Sequence, residues 1–170
     1  MALVAFGLGA NVDDPLARLV AAVEALAGFT SSLRLGPLVC STPVSPVPQP
    51  DFLNSVALAE ASLDPHALLG RIKLLEREAG RRPGPRWGPR PLDVDLLLYD
   101  QLVLRSDDLE LPHPRLRQRG FVLVPLAALE PALPIPPDGI TAAELAASVD
   151  TSDLVPQRWP RTVRRWRPEP

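Results

Sequence analysis

Hydrophobic and polar positions alternate along the first part of the chain with two spacings, one typical of strands and one typical of helices. The apolar stretch Ala2 to Gly9 has the composition of a short buried strand. Asp14 and Pro15 then supply a helix cap and a first-turn proline, and leucine and valine residues recur at helical spacing until Gly28. The sequence therefore predicts a strand followed by a helix over Pro15 to Ala27.

Two further strands and a rigid loop are predicted in the next segment. Residues 32–41 and 52–60 both have the composition of strands. The segment between them, Pro43 to Pro50, contains four prolines, which excludes a helix or a central strand. On the second of these strands, Phe52 and Asn54 share one face because side chains alternate between the two faces of a sheet.

The rest of the chain predicts three more helices and one more strand. The expected elements are, in order, a helix that begins at Pro65 and ends at Gly80, a basic loop over 81–91, a strand over 92–99, and short helices over 122–129 and 142–148.

The order strand, helix, strand, strand, helix, strand is the split βαβ pattern of ferredoxin-like α+β domains. Right-handed crossovers place both helices on one face of a mixed or antiparallel sheet and leave the opposite face open for a ligand or partner. We expect one domain over residues 1–140, with 141–170 as a C-terminal extension packed on it. This scaffold occurs in enzymes and in binding modules, so the fold alone does not choose between them.

The composition is that of an ordinary globular protein. Hydrophobic residues make up 46% and charged residues 22% of the 170 positions, and no apolar run approaches the roughly 20 residues that span a bilayer. Residues 1–11 contain no basic region and no small-residue cleavage site, so we expect a cytoplasmic protein. Cys40, the only cysteine, agrees with a reducing compartment, and its apolar neighbours predict that it is buried.

The basic residues are clustered, and this says more about ligands than the net charge of -2. Of the 18 basic side chains only Lys73 is a lysine, and nearly all the arginines lie in the segments 71–90, 115–119 and 158–167. A guanidinium binds phosphate oxygens as a bidentate fork. The clusters therefore favour a phosphate-containing ligand.

Two carboxylates, Asp93 and Asp95, interrupt the apolar strand over 92–99. The period of two places both on one face, about 7 Å apart along the backbone. Like charges entering a hydrophobic sheet need a positive partner, and a Mg²⁺ ion with carboxylate, water and phosphate ligands supplies one. The alternative is a pair of surface carboxylates that form ion pairs with nearby arginines.

The loop before this strand brings arginines next to the aspartates, in the run Arg86-Trp87-Gly88-Pro89-Arg90-Pro91. Carboxylates that bind metal, beside arginines, are the combination that polyphosphate transfer needs. Neither the P-loop motif nor the complete three-glycine dinucleotide motif occurs, which argues against P-loop and Rossmann enzymes. His113, held between two prolines, is either a surface residue or a phosphate ligand.

Six segments of the chain share the motifs of one enzyme family, in the same order. They are Gly7-Leu8-Gly9-Ala10-Asn11, Ser41-Thr42-Pro43, Gln49-Pro50-Asp51-Phe52-Leu53-Asn54, Arg86-Trp87-Gly88-Pro89-Arg90-Pro91-Leu92-Asp93-Val94-Asp95, Leu111-Pro112-His113-Pro114 and Arg119-Gly120-Phe121-Val122-Leu123. Together they resemble the 6-hydroxymethyl-7,8-dihydropterin pyrophosphokinases, which are folate-pathway enzymes. The resemblance covers about residues 3–138.

The resemblance implies transfer of pyrophosphate from ATP to the hydroxymethyl group of a reduced pterin, with AMP as the leaving group. Asp93 and Asp95 would bind two Mg²⁺ ions that bridge the triphosphate and the attacking hydroxyl. Arg81 and Arg90 would stabilise charge at the transferred group, and these four residues are the implied catalytic set.

The resemblance also assigns residues to each substrate. Those on the pterin side are Thr42, Pro43, Phe52, Asn54, Asp93 and Phe121. The two phenylalanines would sandwich the flat ring while Asn54 binds its polar edge. Those on the ATP side are Glu76, Arg81, Arg86, Trp87, Arg90, Leu96, His113 and Arg119. The loops Pro43 to Pro50 and Arg81 to Pro91 correspond to mobile loops that close over both substrates.

Two other functions are alternatives. A nucleic-acid-binding module would use the tail, where arginines alternate with Trp159 and Trp166. It is disfavoured because one strand of the sheet carries Asp93 and Asp95 in place of aromatic and basic side chains. The other is a two-metal phosphotransferase of another substrate class. We expect small-molecule substrates, no membrane or nucleic-acid partner, and a monomer, with self-association through the tail at 156–170 as the alternative.

Overall fold

The computed structural model describes residues 1–84 and 88–167, and its elements follow the predicted order closely. The strands and helices are β1 (Ala2–Ala10), α1 (Pro15–Ala27), β2 (Ser31–Leu35), β3 (Leu38–Ser41), β4 (Phe52–Ala61), α2 (Pro65–Glu78), β5 (Asp93–Tyr99), β6 (Leu104–Arg105), β7 (Glu110–Leu111), α3 (Gly120–Leu129), β8 (Pro134–Ile135), β9 (Ile140–Thr141), α4 (Ala142–Ser148) and β10 (Val155–Gln157). Short 3-10 helices cover Leu116–Gln118 and Arg161–Trp166. In the described ranges no helix is long and apolar enough to cross a membrane.

The two long helices begin where the sequence predicts because an aspartate caps each of them. The Asp14 side chain accepts a hydrogen bond from the Ala17 N–H, and Asp64 accepts from the N–H groups of His66 and Ala67. A proline occupies the first turn of both helices, where no intrahelical hydrogen bond is lost. The predicted bounds of α1 and α4 are confirmed at both ends.

Six strands form one antiparallel sheet in the order β10, β3, β4, β1, β5, with β2 also beside β4. The prediction of one strand over 32–41 was wrong, since Gly36 and Pro37 interrupt it. Pro37 has no N–H to donate, and a Cβ atom at Gly36 would lie 3.0 Å from the Pro125 carbonyl oxygen. Because β2 and β3 pair with successive parts of β4, together they take the place of the second strand, and the ferredoxin-like fold class is confirmed.

Helices cover both faces of the sheet, which corrects the expectation of an open second face. α1 and α2 pack on one face, over a core that includes Phe6, Leu19 and Ile72. α3 and α4 pack on the other face, against Leu58 and Leu97 among others. The reason is that α3 is apolar around its circumference, with six of its residues buried, so it needs both the sheet and α4 as partners.

The C-terminal segment packs on the body through a strand and a tryptophan. β10 pairs with β3 and forms one edge of the sheet. The Trp159 ring is buried, and its Nε1–H donates a hydrogen bond to the Gly36 carbonyl oxygen at 2.9 Å. Val163, in the following 3-10 helix, is fully buried in the core beneath α1 and α2.

Cys40 is half-buried, so the prediction that it is buried was wrong. Its neighbours Val39 and Ser41 point to the opposite face and are buried. The Cys40 Sγ lies 3.9 Å from the carboxylate of the exposed Asp51. Partial burial, together with this nearby negative charge, raises the pKa of the thiol, which makes it a weak nucleophile at neutral pH.

Candidate active site

Two glycines in the central strand β1 form a floor between the polar residues of β4 and β5. Gly9 pairs with Asn54 on one side and with Asp93 on the other, and Gly7 pairs with Asp95. Residues paired across neighbouring strands share a face, so the amide and both carboxylates project from one side of the sheet. A Cβ atom at Gly9 would lie 3.0 Å from Asn54 Oδ1. The glycines therefore leave a depression between the amide and the carboxylates.

Asp93 is held by two arginines from the loop over 81–91. The Nη1 atoms of Arg81 and Arg90 both lie 2.8 Å from Asp93 Oδ1. The three side chains are only 25–30% exposed, so these ion pairs are partly shielded from water. The predicted convergence of cations and anions at this end of the sheet is confirmed.

Glu76 extends from α2 to the same network. Its Oε1 accepts hydrogen bonds from the Arg81 guanidinium and from the Val94 N–H, the latter at 2.8 Å. Burial raises the pKa of Glu76 to about 7, although the Val94 N–H and Arg81 act in the opposite direction. Glu76 therefore joins α2 to β5 next to the Asp93 ion pairs.

Asp95 has an arginine and a histidine as partners. Arg119 Nη1 lies 2.9 Å and His113 Nε2 lies 3.7 Å from Asp95 Oδ2. His113 Nδ1 accepts a hydrogen bond from the Arg115 N–H, so the neutral ring carries its proton on Nε2, which faces Asp95. Burial lowers the pKa of His113, against the opposing effect of the Asp95 carboxylate. The ring is therefore a neutral hydrogen-bond donor at physiological pH.

An open cleft of about 630 Å³ lies between the end of α2 and the loop over 81–91. This volume is within the range of small-molecule sites. Among the described residues, five cationic side chains and one carboxylate line it: Lys73, Arg77, Arg81, Arg82, Arg90 and Glu76. Such a lining attracts a polyanion.

The chemistry of the two aspartates fits a Mg²⁺ ion that enters together with a phosphate ligand. Within residues 1–84 and 88–167, no group of three or more His, Cys, Asp or Glu side chains could hold a metal ion alone. Mg²⁺ usually takes one or two protein carboxylates and completes its shell with water and phosphate oxygens.

The ion pairs that were the alternative to a metal site are also present. In the described part of the chain, the arginine hydrogen bonds engage one oxygen of each carboxylate, Oδ1 of Asp93 and Oδ2 of Asp95. The second oxygen of each carboxylate can therefore bind a metal ion while the first oxygen keeps its hydrogen bond to arginine.

Three of the residues expected on the pterin side, Phe52, Asn54 and Phe121, lie on β4 and in the first turn of α3. Phe52 and Phe121 are half-buried, and Asn54 is buried. Asn54 Nδ2 donates a hydrogen bond to Ser41 Oγ at 2.7 Å, which fixes the orientation of the amide. The Arg119 guanidinium carbon lies 5.6 Å from the centre of the Phe121 ring.

Thr42 and Pro43 lie between the end of β3 and the rest of the loop over 43–50, and Thr42 is exposed while Pro43 is half-buried. The Thr42 N–H donates a hydrogen bond to the Asp153 carboxylate at 3.2 Å. The C-terminal segment thus reaches Thr42, one of the residues expected on the pterin side, a contact that the sequence did not predict.

Among the described residues that the sequence placed in the site, the structure separates Leu96 from the others. Its side chain is 4% exposed and lies in the core beneath α1 and α2, on the face opposite Asp95. Because β5 is an edge strand, a ligand beside it can contact Leu96 only through the main chain. Arg86 and Trp87 lie outside the described residues.

Ser41 and Asn11 lie in the motif segments and have roles that the sequence did not predict. Ser41 orients Asn54, and Asn11 Oδ1 accepts a hydrogen bond from the Arg90 N–H at 2.9 Å. Each of the two is a polar residue at the end of an apolar strand, and this could have indicated a role. A polar group that is buried there needs hydrogen-bond partners.

Comparisons with known proteins agree with this arrangement. The family model for 7,8-dihydro-6-hydroxymethylpterin-pyrophosphokinase (HPPK) matches residues 5–131. The 2-amino-4-hydroxy-6-hydroxymethyldihydropteridine pyrophosphokinase of Pseudomonas aeruginosa is 40% identical over 143 residues, which are 83% of this chain and 88% of the relative. The enzyme of the same name from Aquifex aeolicus is 40% identical over 131 residues, which are 77% and 82% of the two chains.

A solved HPPK-DHPS structure in complex with substrates shares the fold, with a TM-score of 0.69 and 10% sequence identity. The superposition covers 86% of this chain and 43% of that chain, so this chain corresponds to less than half of its length. The family match and the identity to both relatives show that the chain belongs to the 7,8-dihydro-6-hydroxymethylpterin-pyrophosphokinase family.

Proposed function

We propose that this chain transfers pyrophosphate from ATP to the hydroxymethyl group of 6-hydroxymethyl-7,8-dihydropterin and releases AMP, a step of folate biosynthesis. The observation that carries the proposal is the convergence of Arg81, Arg90 and Arg119 on the two aspartates of β5. Polyphosphate transfer requires such cations beside carboxylates that bind metal. Both 40% identical relatives are named as pyrophosphokinases of this pterin.

Asp93 and Asp95 are the residues that would hold magnesium, and we propose two ions. Magnesium bound there supplies positive charge that offsets the negative charge of the triphosphate and of the attacking oxygen. Support comes from the shared face of the two carboxylates, their partial exposure, and the single oxygen that the arginines engage on each.

Arg81 and Arg90 stabilise charge at the group in transfer. The hydroxymethyl oxygen forms a bond to the β-phosphorus and loses its proton to solvent, while the bond from the β-phosphorus to the oxygen shared with the α-phosphorus breaks. AMP leaves with that oxygen and its negative charge. Because both guanidinium groups border the 630 Å³ cleft, each can exchange Asp93 for a phosphate oxygen without a large movement.

The remaining residues on the ATP side bind and orient the nucleotide. His113 offers a neutral Nε2–H, Arg119 offers a cation, and Glu76 holds Arg81 in place. Leu96 lines the adenine through its main chain. Arg86 and Trp87 complete the proposed ATP side on the strength of the family motif.

On the pterin side, Phe52 and Phe121 sandwich the ring and Asn54 binds its polar edge, with Thr42 and Pro43 shaping the pocket through their backbone. Asp93 lies on the same face as Asn54, across Gly9, and so contacts the pterin as well as the metal. Support comes from the half-exposed aromatic rings and from the amide that Ser41 orients.

We also propose that residues 1–140 form the pyrophosphokinase domain, that 141–170 is an extension packed on it, and that the protein is a monomer. The pairing of β10 with β3 and the burial of Trp159 support the packed extension. Light scattering gives the molecular mass; a dimer that becomes monomeric on deletion of 156–170 would point to self-association through the tail.

Nucleic-acid binding has less support than catalysis. Trp159 is buried, and the Arg165 guanidinium carbon lies 4.0 Å from the centre of the Trp166 ring. The tail tryptophans are therefore occupied within the protein, whereas single-stranded nucleic acid stacks on exposed aromatic rings.

The proposed reaction is tested by measuring AMP release with ATP and Mg²⁺, with and without 6-hydroxymethyl-7,8-dihydropterin. We expect AMP and the pterin pyrophosphate in equal amounts, and no AMP above background without the pterin. AMP formation that is independent of the pterin, or release of ADP, would indicate a phosphotransferase of another substrate class.

A further inference from the structure

Asn11 connects the two loops that border the site. It directly follows β1, and only 3% of its surface is exposed. Its Oδ1 accepts a hydrogen bond from the Arg90 N–H at 2.9 Å, and its main-chain N–H donates to the Arg90 carbonyl oxygen at 3.2 Å. Its Nδ2 donates at 2.9 Å both to Gln49 Oε1 and to the Pro50 carbonyl oxygen. One side chain thus joins the ends of both loops.

These two ends serve different substrates in the proposed reaction. The loop over 43–50 leads directly to Phe52, on the pterin side. Arg90 ends the ion-pair network on Asp93 Oδ1, on the phosphate side. A shift of Gln49 and Pro50 therefore displaces partners of Asn11, and through Asn11 the backbone of Arg90.

An amide is the side chain that fits this pattern, because it supplies one acceptor and two donor hydrogens from a single planar group. An aspartate in the same place would turn a negative charge towards the oxygens of Gln49 and Pro50. An aliphatic side chain would leave the Arg90 N–H without this partner in a partly buried place. The bonding therefore depends on the chemistry of Asn11 as well as on its size.

We propose that Asn11 is a positioning residue that couples the two substrate sites. When the pterin orders the loop over 43–50, Asn11 favours the position of Arg90 that the triphosphate needs. When the triphosphate fixes Arg90, Asn11 in turn favours the ordered loop. Such coupling is reciprocal by thermodynamic linkage. The inference rests on the proposed function, since that function names the substrates on the two sides.

Calorimetry measures the coupling as a ratio of two dissociation constants for 6-hydroxymethylpterin. The constant without nucleotide is divided by the constant with saturating Mg²⁺ and α,β-methylene-ATP. This nucleotide cannot react because carbon replaces the oxygen of the bond that breaks. We expect a wild-type ratio well above one. Asn11→Ala removes the side-chain bonds to both loops and should lower the ratio at least threefold. Gln49→Ala leaves the bond from Asn11 to Pro50 and should lower the ratio by a smaller factor. The double variant should lower it no further than Asn11→Ala, because Gln49 acts through Asn11.

Controls separate this connection from a general loss of structure. Gln101→Ala removes an exposed glutamine whose Nε2 donates to the Pro134 carbonyl oxygen, and it should keep the wild-type ratio. Gln49→Glu keeps the accepting Oε1 and should retain most of the coupling. Because Asn11 is buried, circular dichroism checks the fold of Asn11→Ala, and Gln49→Ala carries the test if that variant unfolds.

A wild-type ratio of one, or a Gln49→Ala ratio equal to that of wild type, overturns the inference while both ligands still bind as the proposed function requires. Wild-type protein that binds neither ligand contradicts the proposed function itself. The two failures are therefore distinguishable in one set of titrations.

Discussion

Glu76 differs from the two aspartates beside it because it is buried. Asp93 and Asp95 are half-buried and pair with arginines, whereas burial raises the pKa of Glu76 to about 7 despite its contact with Arg81. The folded protein thus holds a proton on Glu76 between pH 4.5, the ordinary pKa of the group, and about 7, where the unfolded chain has lost it. This carboxyl group makes the folded state less stable as pH rises through that window.

Glu76→Gln should remove this pH dependence, because glutamine keeps the accepting oxygen and cannot ionise. Urea unfolding in EDTA at pH 5 and pH 8 measures the effect. The wild type should lose more stability between the two pH values than the variant, by at most on the order of 3 kcal/mol. An equal loss in both proteins would show that Glu76 is already ionised at pH 5.

At the scale of elements, the sequence correctly predicts the helices whose first residues are determined by contacts within the same short segment. Asp14 and Asp64 cap α1 and α2 with their own side chains, so the starts of these helices follow from residues two or three positions away. The break between β2 and β3 had one local signal, the missing N–H of Pro37. The close packing of Gly36 against the carbonyl oxygens of Pro125 and Val56 could not be predicted in this way. The depression at Gly9 could not be predicted from local sequence either, because the neighbouring Asn54 lies on another strand.

Gly9→Ala should weaken pterin binding and leave nucleotide binding almost unchanged. The added Cβ would lie 3.0 Å from Asn54 Oδ1, so the amide must move by a few tenths of an ångström, which strains its bond with Ser41. Loss of one hydrogen bond corresponds to roughly five- to tenfold weaker binding. Calorimetry with 6-hydroxymethylpterin measures it.

Gly70→Ala is the matched control, because it lies within α2 and a Cβ there meets no atom within 4 Å. It should keep wild-type pterin affinity and stabilise the protein by about 0.5–1 kcal/mol. Unchanged pterin affinity in Gly9→Ala would mean that Asn54 does not define the pocket.

At the scale of the whole molecule, the sequence predicts the chemistry of the site better than its connections. The shared face of Asp93 and Asp95 follows from their spacing, and the family motifs pointed to Arg119. The bond from Arg119 to Asp95, 24 residues away, and that from Trp159 to Gly36, 123 residues away, arise only when the chain folds. Trp159, which would have to be exposed in the alternative of a nucleic-acid-binding tail, is buried.

Trp159→Ala should destabilise the whole domain by about 3–5 kcal/mol, the usual cost of deleting a large buried aromatic side chain. Trp159→Phe keeps an aromatic ring and loses the hydrogen bond to Gly36, so it should cost only about 1 kcal/mol beyond the change in volume. Guanidinium unfolding measures both. A loss below about 1 kcal/mol in the alanine variant would show that the tail contributes little to the fold.

The central claim is that Asp93 and Asp95 bind magnesium together with the triphosphate. The most direct test is calorimetric titration of α,β-methylene-ATP, with and without Mg²⁺, into the wild type, Asp95→Asn and the exposed control Asp107→Asn. Mg²⁺ should tighten binding about tenfold or more in the wild type and the control, and should have little effect in Asp95→Asn. The same Mg²⁺ enhancement in all three proteins would contradict the claim.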